Sequence, residues 1–388
     1  MEKDDRGPNE LHLNQMLQMK SAQEKVRVMV VDDTITYRRI MSSAVEQIQS
    51  AELVGTATSG KTALGKLASL KPHLIFLDVI MPEMDGIETL RQIKAIAPKI
   101  HVVMVSSVDI ANAKATLNSL ENGALDFVAK PVSKDLRSSI KMLKRSLEPL
   151  VDVVLHDVVL KGGKSGKAKS ISGVSSSFAA GTAITGKVDF VLIGVSTGGP
   201  VALQNLFESI QVKLACPIFV VQHMPPMFTR SLAERLNAKS PMEITEAHDC
   251  QEPEKGRVYF APGGKHMEVY QEADGGYKIR IVDYPPVNHC KPSVDILFKS
   301  VAMLERVNAI AVILTGMGRD GTEGMHLLKK KDTYCLIQDE PTSVVWGMPG
   351  SIYKASLADE VLPLGKIGER LMTLIESRIQ SGSQRESN

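Results

Sequence analysis

No stretch of this 388-residue chain comes near the roughly 18–20 consecutive apolar residues of a membrane span. Direct membrane insertion is therefore not expected. The first 25 residues, MEKDDRGPNELHLNQMLQMKSAQEK, mix charges of both signs and lack the apolar core of a secretory signal. The expected location is the cytoplasm. Excess charge of one sign is missing too: 46 Lys and Arg stand against 44 Asp and Glu, a formal +2. That balance gives a nucleic acid no footprint to hold. Cysteine is scarce and scattered. Cys216, Cys250, Cys290 and Cys335 form no C-x-x-C pair, so they read as ordinary buried or half-buried thiols, not disulfides or zinc ligands.

What the chain has is alternation. Hydrophobic residues make up 43% of it, enough for real cores, and its length suits two domains. Strand-like apolar runs at 26–33, 51–57, 73–79, 100–107 and 124–131 are separated by stretches of helical spacing. This predicts an α/β domain with a doubly wound parallel sheet. Ligand chemistry should then gather at the carboxyl ends of the strands. Residues 161–187 break the pattern with five Lys, six Gly, six Ser and no acid, the composition of a solvated tether. A second alternating region follows, with strands expected at 189–196, 217–224, 257–262, 277–283, 309–316 and 333–339. The expected division is a flexible extension (1–25), an α/β domain (26–147), a linker (148–187), a second α/β domain (188–378) and a polar tail (379–388).

In the first domain, chemistry-bearing residues recur at strand ends. Asp32 and Asp33 end the first strand, and Asp78, followed by VIMPEMDG, ends the third. Ser106 ends the fourth and Lys130-Pro131 the fifth. Three converging carboxylates repel unless a divalent cation lies among them, and hard oxygen donors suit Mg²⁺. A carboxylate beside such a cation can attack a phosphoryl group and become an acyl phosphate. A lysine and a hydroxyl can then bind the new oxygens. Any one of these acids could merely cap a helix or face water, but the four features in this order argue otherwise. Residues 26–147 resemble the response-regulator receiver family. The resemblance implies a flavodoxin-like fold and phosphorylation of Asp78 by a sensor histidine kinase. It implies Mg²⁺ held by Asp33, Asp78 and the main-chain carbonyl of Ile80, with Asp32 as an outer acid. It gives Ser106 and Lys130 the phosphoryl oxygens, and Phe127 an aromatic switch position, where plain packing would also suit it.

In the second domain the run FVLIGVSTGGPV (190–201) stops at a cluster of small residues. Ser196 there fits the G-x-S-x-G of a nucleophile elbow. It also nearly fits a G-x-G-x-x-G phosphate loop, with serine in the place of the second glycine. A hydroxyl nucleophile needs a base, an acid to orient that base, and oxyanion donors. His223, in VVQHMPP, ends a neighbouring strand, and Asp320, in AVILTGMGRDG, follows another. The order Ser196, His223, Asp320 is not that of an ordinary α/β-hydrolase. Triads are recognised by geometry rather than order. The dinucleotide reading is weaker: a serine side chain hinders the pyrophosphate, and the next strand ends in His223 where an acid is expected.

Over 189–350 the motifs IGVSTGGP, VVQHMPP, FAPGGKHM, KPSVDILF, LTGMGRDG and IQDEPTSVVWGMP resemble the chemotaxis protein-glutamate methylesterase family. The resemblance implies a Rossmann-like catalytic domain with Ser196 as nucleophile, His223 as base and Asp320 as orienting acid. Met317 would lend its main-chain N–H to the oxyanion hole, and Thr197 would position the site. The implied reaction hydrolyses glutamate methyl esters on chemoreceptor cytoplasmic domains, releasing methanol, with deamidation of selected glutamines as its companion. No cofactor is expected for the esterase. The segment HCKPS departs from the family by placing Cys290 where histidine is usual. The simplest expectation for control is that the unphosphorylated receiver covers the Ser196 cleft. Two rivals remain at this stage: a second domain that only binds a partner, and a nucleotide-dependent enzyme using the glycine-rich turn. A DNA-binding regulator is disfavoured, since no compact basic helical module is present.

Overall fold

The computed structural model describes residues 24–131, 135–162, 187–331 and 333–383. The first domain holds β1 (Val26–Val31), β2 (Ala51–Ala57), β3 (Leu74–Asp78), β4 (His101–Ser106) and β5 (Asp126–Ala129). All pair in parallel, in the order β2-β1-β3-β4-β5. That is the flavodoxin-like arrangement. Every position of β3, LIFLD, is buried, as a strand covered on both faces requires. The helices are α1 (Ile35–Glu46), α2 (Gly60–Leu70), α3 (Gly86–Ile96), α4 (Ile110–Glu121) and α5 (Leu136–Gly162). Ser59 caps α2 by accepting from the N–H of Thr62, and Asp85 caps α3 by accepting from that of Glu88.

Helix α5 carries Leu143, Leu147, Leu150, Val151 and Val154 into the core of this domain. Their three- and four-residue spacing puts them on one face. The helix continues to Gly162, so residues 148–162, expected as the start of the linker, are helical. The remainder of the expected linker before Lys187 lies outside the described residues, as do most of the N-terminal extension and the last five residues of the tail.

The second domain begins with β6 (Phe190–Val195), β7 (Ile218–Gln222), β8 (Glu243–Glu246) and β9 (Arg257–Phe260). A hairpin, β10 (His266–Gln271) and β11 (Tyr277–Val282), follows, and then β12 (Ala309–Ile313), β13 (Tyr334–Gln338) and β14 (Glu360–Leu362). Seven of these form one parallel sheet in the order β14-β13-β12-β6-β7-β9-β8. The helices are α6 (Gly199–Ser209), α7 (Phe228–Asn237), α8 (Val294–Ala302), α9 (Thr322–Leu328), α10 (Gly347–Lys354) and α11 (Leu364–Ser383).

The run 277–283 is a strand, but not one of the parallel sheet. It pairs antiparallel with β10. Its side chains show why: Ile279 is buried and Arg280 exposed, the one-sided alternation of a hairpin strand. Strands β8 and β14 escape a reading of apolar runs because they are short and rich in Glu.

The chain leaves β6 toward β7 on one side and returns to β12 on the other. The loops after β6, β7 and β12 therefore open at the switch point of the sheet, where α/β proteins bind ligands. Among the described residues no helix is long and apolar enough to cross a membrane.

Candidate active site

Two clusters stand at strand ends, one in each domain. In the first, Asp32 and Asp33 follow β1, Asp78 closes β3, Ser106 closes β4 and Lys130 follows β5. Asp32, Asp78, Ser106 and Lys130 are buried and Asp33 is exposed. Carboxylate oxygens of Asp32, Asp33 and Asp78 lie within 4.8 Å of one another. Lys130 Nζ stands 2.8 Å from Asp32 Oδ2 and 2.8 Å from Asp78 Oδ2. Its charge also lies over the Tyr37 ring, 4.6 Å from the centroid. The N–H of Thr34 donates to Asp32 Oδ1 at 2.8 Å, while Oδ2 faces the Lys130 ammonium. Burial pushes Asp78 up to about 6; Lys130 pulls the other way, and Asp32 and Asp33 add repulsion. Ile80 is exposed in the loop after β3, and Gly86 folds that loop back with its N–H on the Val79 carbonyl at 2.9 Å. Phe127 is half-buried on β5.

In the second domain, Ser196 is the first residue beyond β6 and His223 the first beyond β7. The N–H of His223 donates to the Val195 carbonyl at 3.1 Å, which ties the two strand ends side by side. Past Ser196 the chain turns through Gly198, whose φ of 75° suits glycine. Gln222 Nε2 donates to the carbonyls of Ser196 (3.0 Å) and His223 (3.3 Å). The N–H of Ser196 donates to Thr315 O at 3.0 Å, and Thr315 Oγ1 donates to Thr197 O at 3.0 Å. Gly316 follows. A Cβ there would lie 2.8 Å from the Cβ of Ser196 and 2.6 Å from Met348 Sδ, so the chain after β12 passes the serine at backbone distance only as glycine.

Asp320 sits in the loop between β12 and α9 and is 2% exposed. It gathers five donors. Oδ2 accepts from His223 Nε2 (2.8 Å) and from the N–H of Val294 (2.7 Å). Oδ1 accepts from Ser293 Oγ (2.8 Å), the N–H of Asp295 (3.2 Å) and Asn288 Nδ2 (3.2 Å). Burial alone would raise this carboxyl; the bonds from His223, Ser293 and Val294 override it and hold it at about 2. Burial likewise opposes the charged form of His223, but Asp320 and then the neighbouring Cys290 thiol outweigh it and push the ring up to about 10. The two shifts agree: each group favours the charged form of the other, as in an ion pair.

The structure brings His223 and Asp320 into contact and sets Ser196, half-buried, at the adjoining strand end. Among the described residues no hydrogen bond joins Ser196 Oγ to His223. Thr197 is half-buried and held through its carbonyl. Met317 is 46% exposed beside Gly316, and among the described residues its N–H has no acceptor. The cluster joins a histidine to a buried carboxylate, with a serine at the adjoining strand end.

Residues 28–141 match the response regulator receiver domain family, and residues 191–371 match the CheB methylesterase family. A protein of Trichodesmium erythraeum, named protein-glutamate methylesterase/protein-glutamine glutaminase, is 39% identical over 357 residues, covering 90% of this chain and 99% of that relative. The chain belongs to this methylesterase family. A relative of the same name from Desulfotalea psychrophila is 40% identical over 361 residues, covering 91% of this chain and 99% of its own. A solved CheB methylesterase catalytic domain from Thermotoga maritima is 40% identical, with a TM-score of 0.47, across 49% of this chain and all of that one.

Within this methylesterase, several residues around the site take their roles only from the folded chain. Asn288, Ser293 and Gln222 are set in place by contacts that span 26 to 32 positions. Ser293 lies in KPSVDILF just before the apolar run of α8, the usual place of a helix cap. Its hydroxyl serves Asp320 instead. Of the cysteines, Cys216 and Cys335 are buried, Cys290 is half-buried, and Cys250 is exposed rather than covered as expected. It sits in a turn at a φ of 60°.

Proposed function

We propose that this chain is a phosphorylation-controlled serine esterase that hydrolyses glutamate methyl esters on chemoreceptor cytoplasmic domains. Deamidation of selected receptor glutamines is its second activity, because both reactions begin with acyl attack by Ser196. The observation that carries this reading is the His223–Asp320 pair at the strand end adjoining Ser196.

Asp320, held at about 2, is ionised at neutral pH and can only accept. His223 Nε2, 2.8 Å away, therefore carries a proton, and once the ring has lost the second proton that its raised value favours, Nδ1 is the nitrogen that acts as base. Nδ1 takes the proton of Ser196 as the hydroxyl attacks the side-chain carbonyl, and Asp320 stabilises the imidazolium that forms. The serine–histidine contact, open in the free protein, closes in the substrate complex, as catalytic hydrogen bonds commonly do. The free N–H of Met317 faces the oxyanion, a contribution of about 3 kcal/mol. The imidazolium gives its proton to the departing methoxide oxygen, which leaves as methanol, or to the departing amide nitrogen, which leaves as ammonia. Water, deprotonated by the same histidine, then releases the glutamate. Thr197 holds the turn through its carbonyl.

In the receiver, Asp78 accepts the phosphoryl group from a sensor histidine kinase. Asp33, Asp78 and the main-chain carbonyl of Ile80 would hold Mg²⁺, with Asp32 as a further acid beside them. The donor set fits: three carboxylates converge with Lys130 against two of them, and burial, with repulsion from Asp32 and Asp33 added, raises Asp78. When bound, the ion neutralises the carboxylates and the incoming phosphoryl oxygens. Lys130 and Ser106 bind the oxygens of the acyl phosphate. The test is methanol release from methylated receptor membranes, with and without a small phosphodonor. Ser196→Ala should abolish release and Asp78→Asn should abolish the response to phosphodonor. Full release by Ser196→Ala would remove Ser196 from its role.

A further inference from the structure

The four cysteines occupy unequal surroundings. Cys216 and Cys335 are buried, and burial pushes both thiols up to about 12. They are unreactive on that account. Cys250 is exposed, and its Sγ donates to a carboxylate oxygen of Asp249 at 3.6 Å. Cys290 differs from all three. It is half-buried, and its Sγ lies within 4.8 Å of both a ring nitrogen of His223 and a carboxylate oxygen of Asp320.

A built turn puts it there. Asn288 and His289 both take positive φ, 50° and 66°, the pattern of a type I′ turn. Paired N–H to carbonyl bonds between Val287 and Cys290, at 3.1 and 2.8 Å, close it. Asn288 pins the turn to Asp320 and Asp295. The cysteine is thus fixed against the pair that serves Ser196.

A metal could be imagined on His223, Cys290 and Asp320. The carboxylate argues against it: both oxygens of Asp320 are already spent on five donors. What remains is a thiol with a base in place, the arrangement that makes cysteine a nucleophile.

We propose that Cys290 is an oxidation site through which a peroxide-class oxidant switches the esterase off. The inference rests on the reading of Ser196 and His223 given above. The sulfur attacks one peroxide oxygen, the O–O bond breaks and an S–O bond forms. Sulfur loses two electrons and the peroxide gains them. The thiol proton passes by way of His223 to the departing hydroxide, which leaves as water. The product, a sulfenic acid, carries a hydroxyl against the imidazole and competes with Ser196 for it. A dithiol returns the sulfur to the thiol.

The test treats the full-length protein with hydrogen peroxide and follows two readouts. The first is the rate at which dimedone, which traps sulfenic acids, labels each cysteine, read by peptide mass mapping. The second is methanol release from methylated receptor membranes. Cys290 should be labelled about tenfold faster than exposed Cys250, and activity should fall at least about tenfold in step. Dithiothreitol, added in place of dimedone, should restore it. Cys290→Ser should keep most of its own untreated rate through the same exposure, with Cys290→Ala as the second variant should the serine form not fold. Faster labelling of Cys250, or full labelling of Cys290 with activity intact, would overturn the proposal. So would equal sensitivity of the Cys290 variants, which would move the effect to another residue such as exposed Met317. The labelling readout needs no esterase activity, so a protein that releases no methanol at all counts against the proposed function, while the labelling still decides the reactivity of Cys290.

Discussion

Replacing Asp320 by asparagine removes one charge and turns an acceptor of five hydrogen bonds into a group with donors of its own. At the active site the amide can no longer fix the proton on Nε2 of His223, so the basic nitrogen faces the wrong way. A triad that loses its carboxylate in this manner loses about 10⁴-fold in kcat. The change also has a signature in stability. Asp320 is held at about 2 where a free aspartate titrates near 3.8. That difference is worth about 2 kcal/mol at neutral pH. The folded-state value is depressed, so the contribution is complete above pH 3.8 and disappears as pH falls through 2. About half of it is gone by pH 3. The amide also meets donors from Ser293, Val294 and Asp295, a pH-independent loss of about 1–3 kcal/mol. The chain has a single tryptophan, Trp346, whose indole N–H donates to Gln338 O at 2.9 Å within the catalytic domain. Its fluorescence in a urea titration reads the unfolding of that domain alone. Below the range in which His223 titrates in the variant, the gap between wild type and Asp320→Asn should narrow by about 1 kcal/mol between pH 5 and pH 3. A gap of constant size, or near-normal turnover in the variant, would refute the role of this carboxylate.

Other consequences follow from the same geometry. His223 is pushed up to about 10, and catalysis needs its neutral form, so kcat/KM should rise with pH well past 6.5. Cys290 is one of the groups that raise it, so Cys290→Ala should move that rising limb to lower pH; an unmoved limb would contradict the contact. Gly316→Ala forces a Cβ to 2.8 Å from that of Ser196, which should cost about 1–3 kcal/mol in a urea titration and most of the esterase rate. Asp78→Asn should leave methanol release in the absence of phosphodonor near the wild-type level while removing stimulation; retained stimulation would place the phosphoryl group elsewhere.

Much of this protein was legible in its sequence for one physical reason. In a parallel sheet covered on both faces, strands are apolar throughout, so a polar residue at the end of such a run marks a place where ligands are met. Asp78, Ser196 and His223 all stand out in that way. Asp320 is marked less sharply, six residues beyond the last strand-like position of AVIL, and the glycines around it were the better sign. What stayed hidden is whatever depends on distant partners. Ser293 and Asn288 serve Asp320 across more than 25 positions, and nothing local distinguishes them from a cap and a turn residue. The run 277–283 reads as a strand by composition, yet its antiparallel pairing with β10 is a property of the folded chain. Helix α5 outlasts the expected boundary because Leu150, Val151 and Val154 keep an apolar stripe against the receiver core.

The most direct test of the central claim is covalent. A fluorophosphonate, which reacts only with a serine activated by a neighbouring base, is added to the full-length protein and the adduct is located by peptide mapping. The adduct should lie on Ser196 in the wild type and form at least about 10³-fold more slowly in His223→Ala. An adduct on another residue, or undiminished labelling of Ser196 without His223, would contradict the assignment of nucleophile and base.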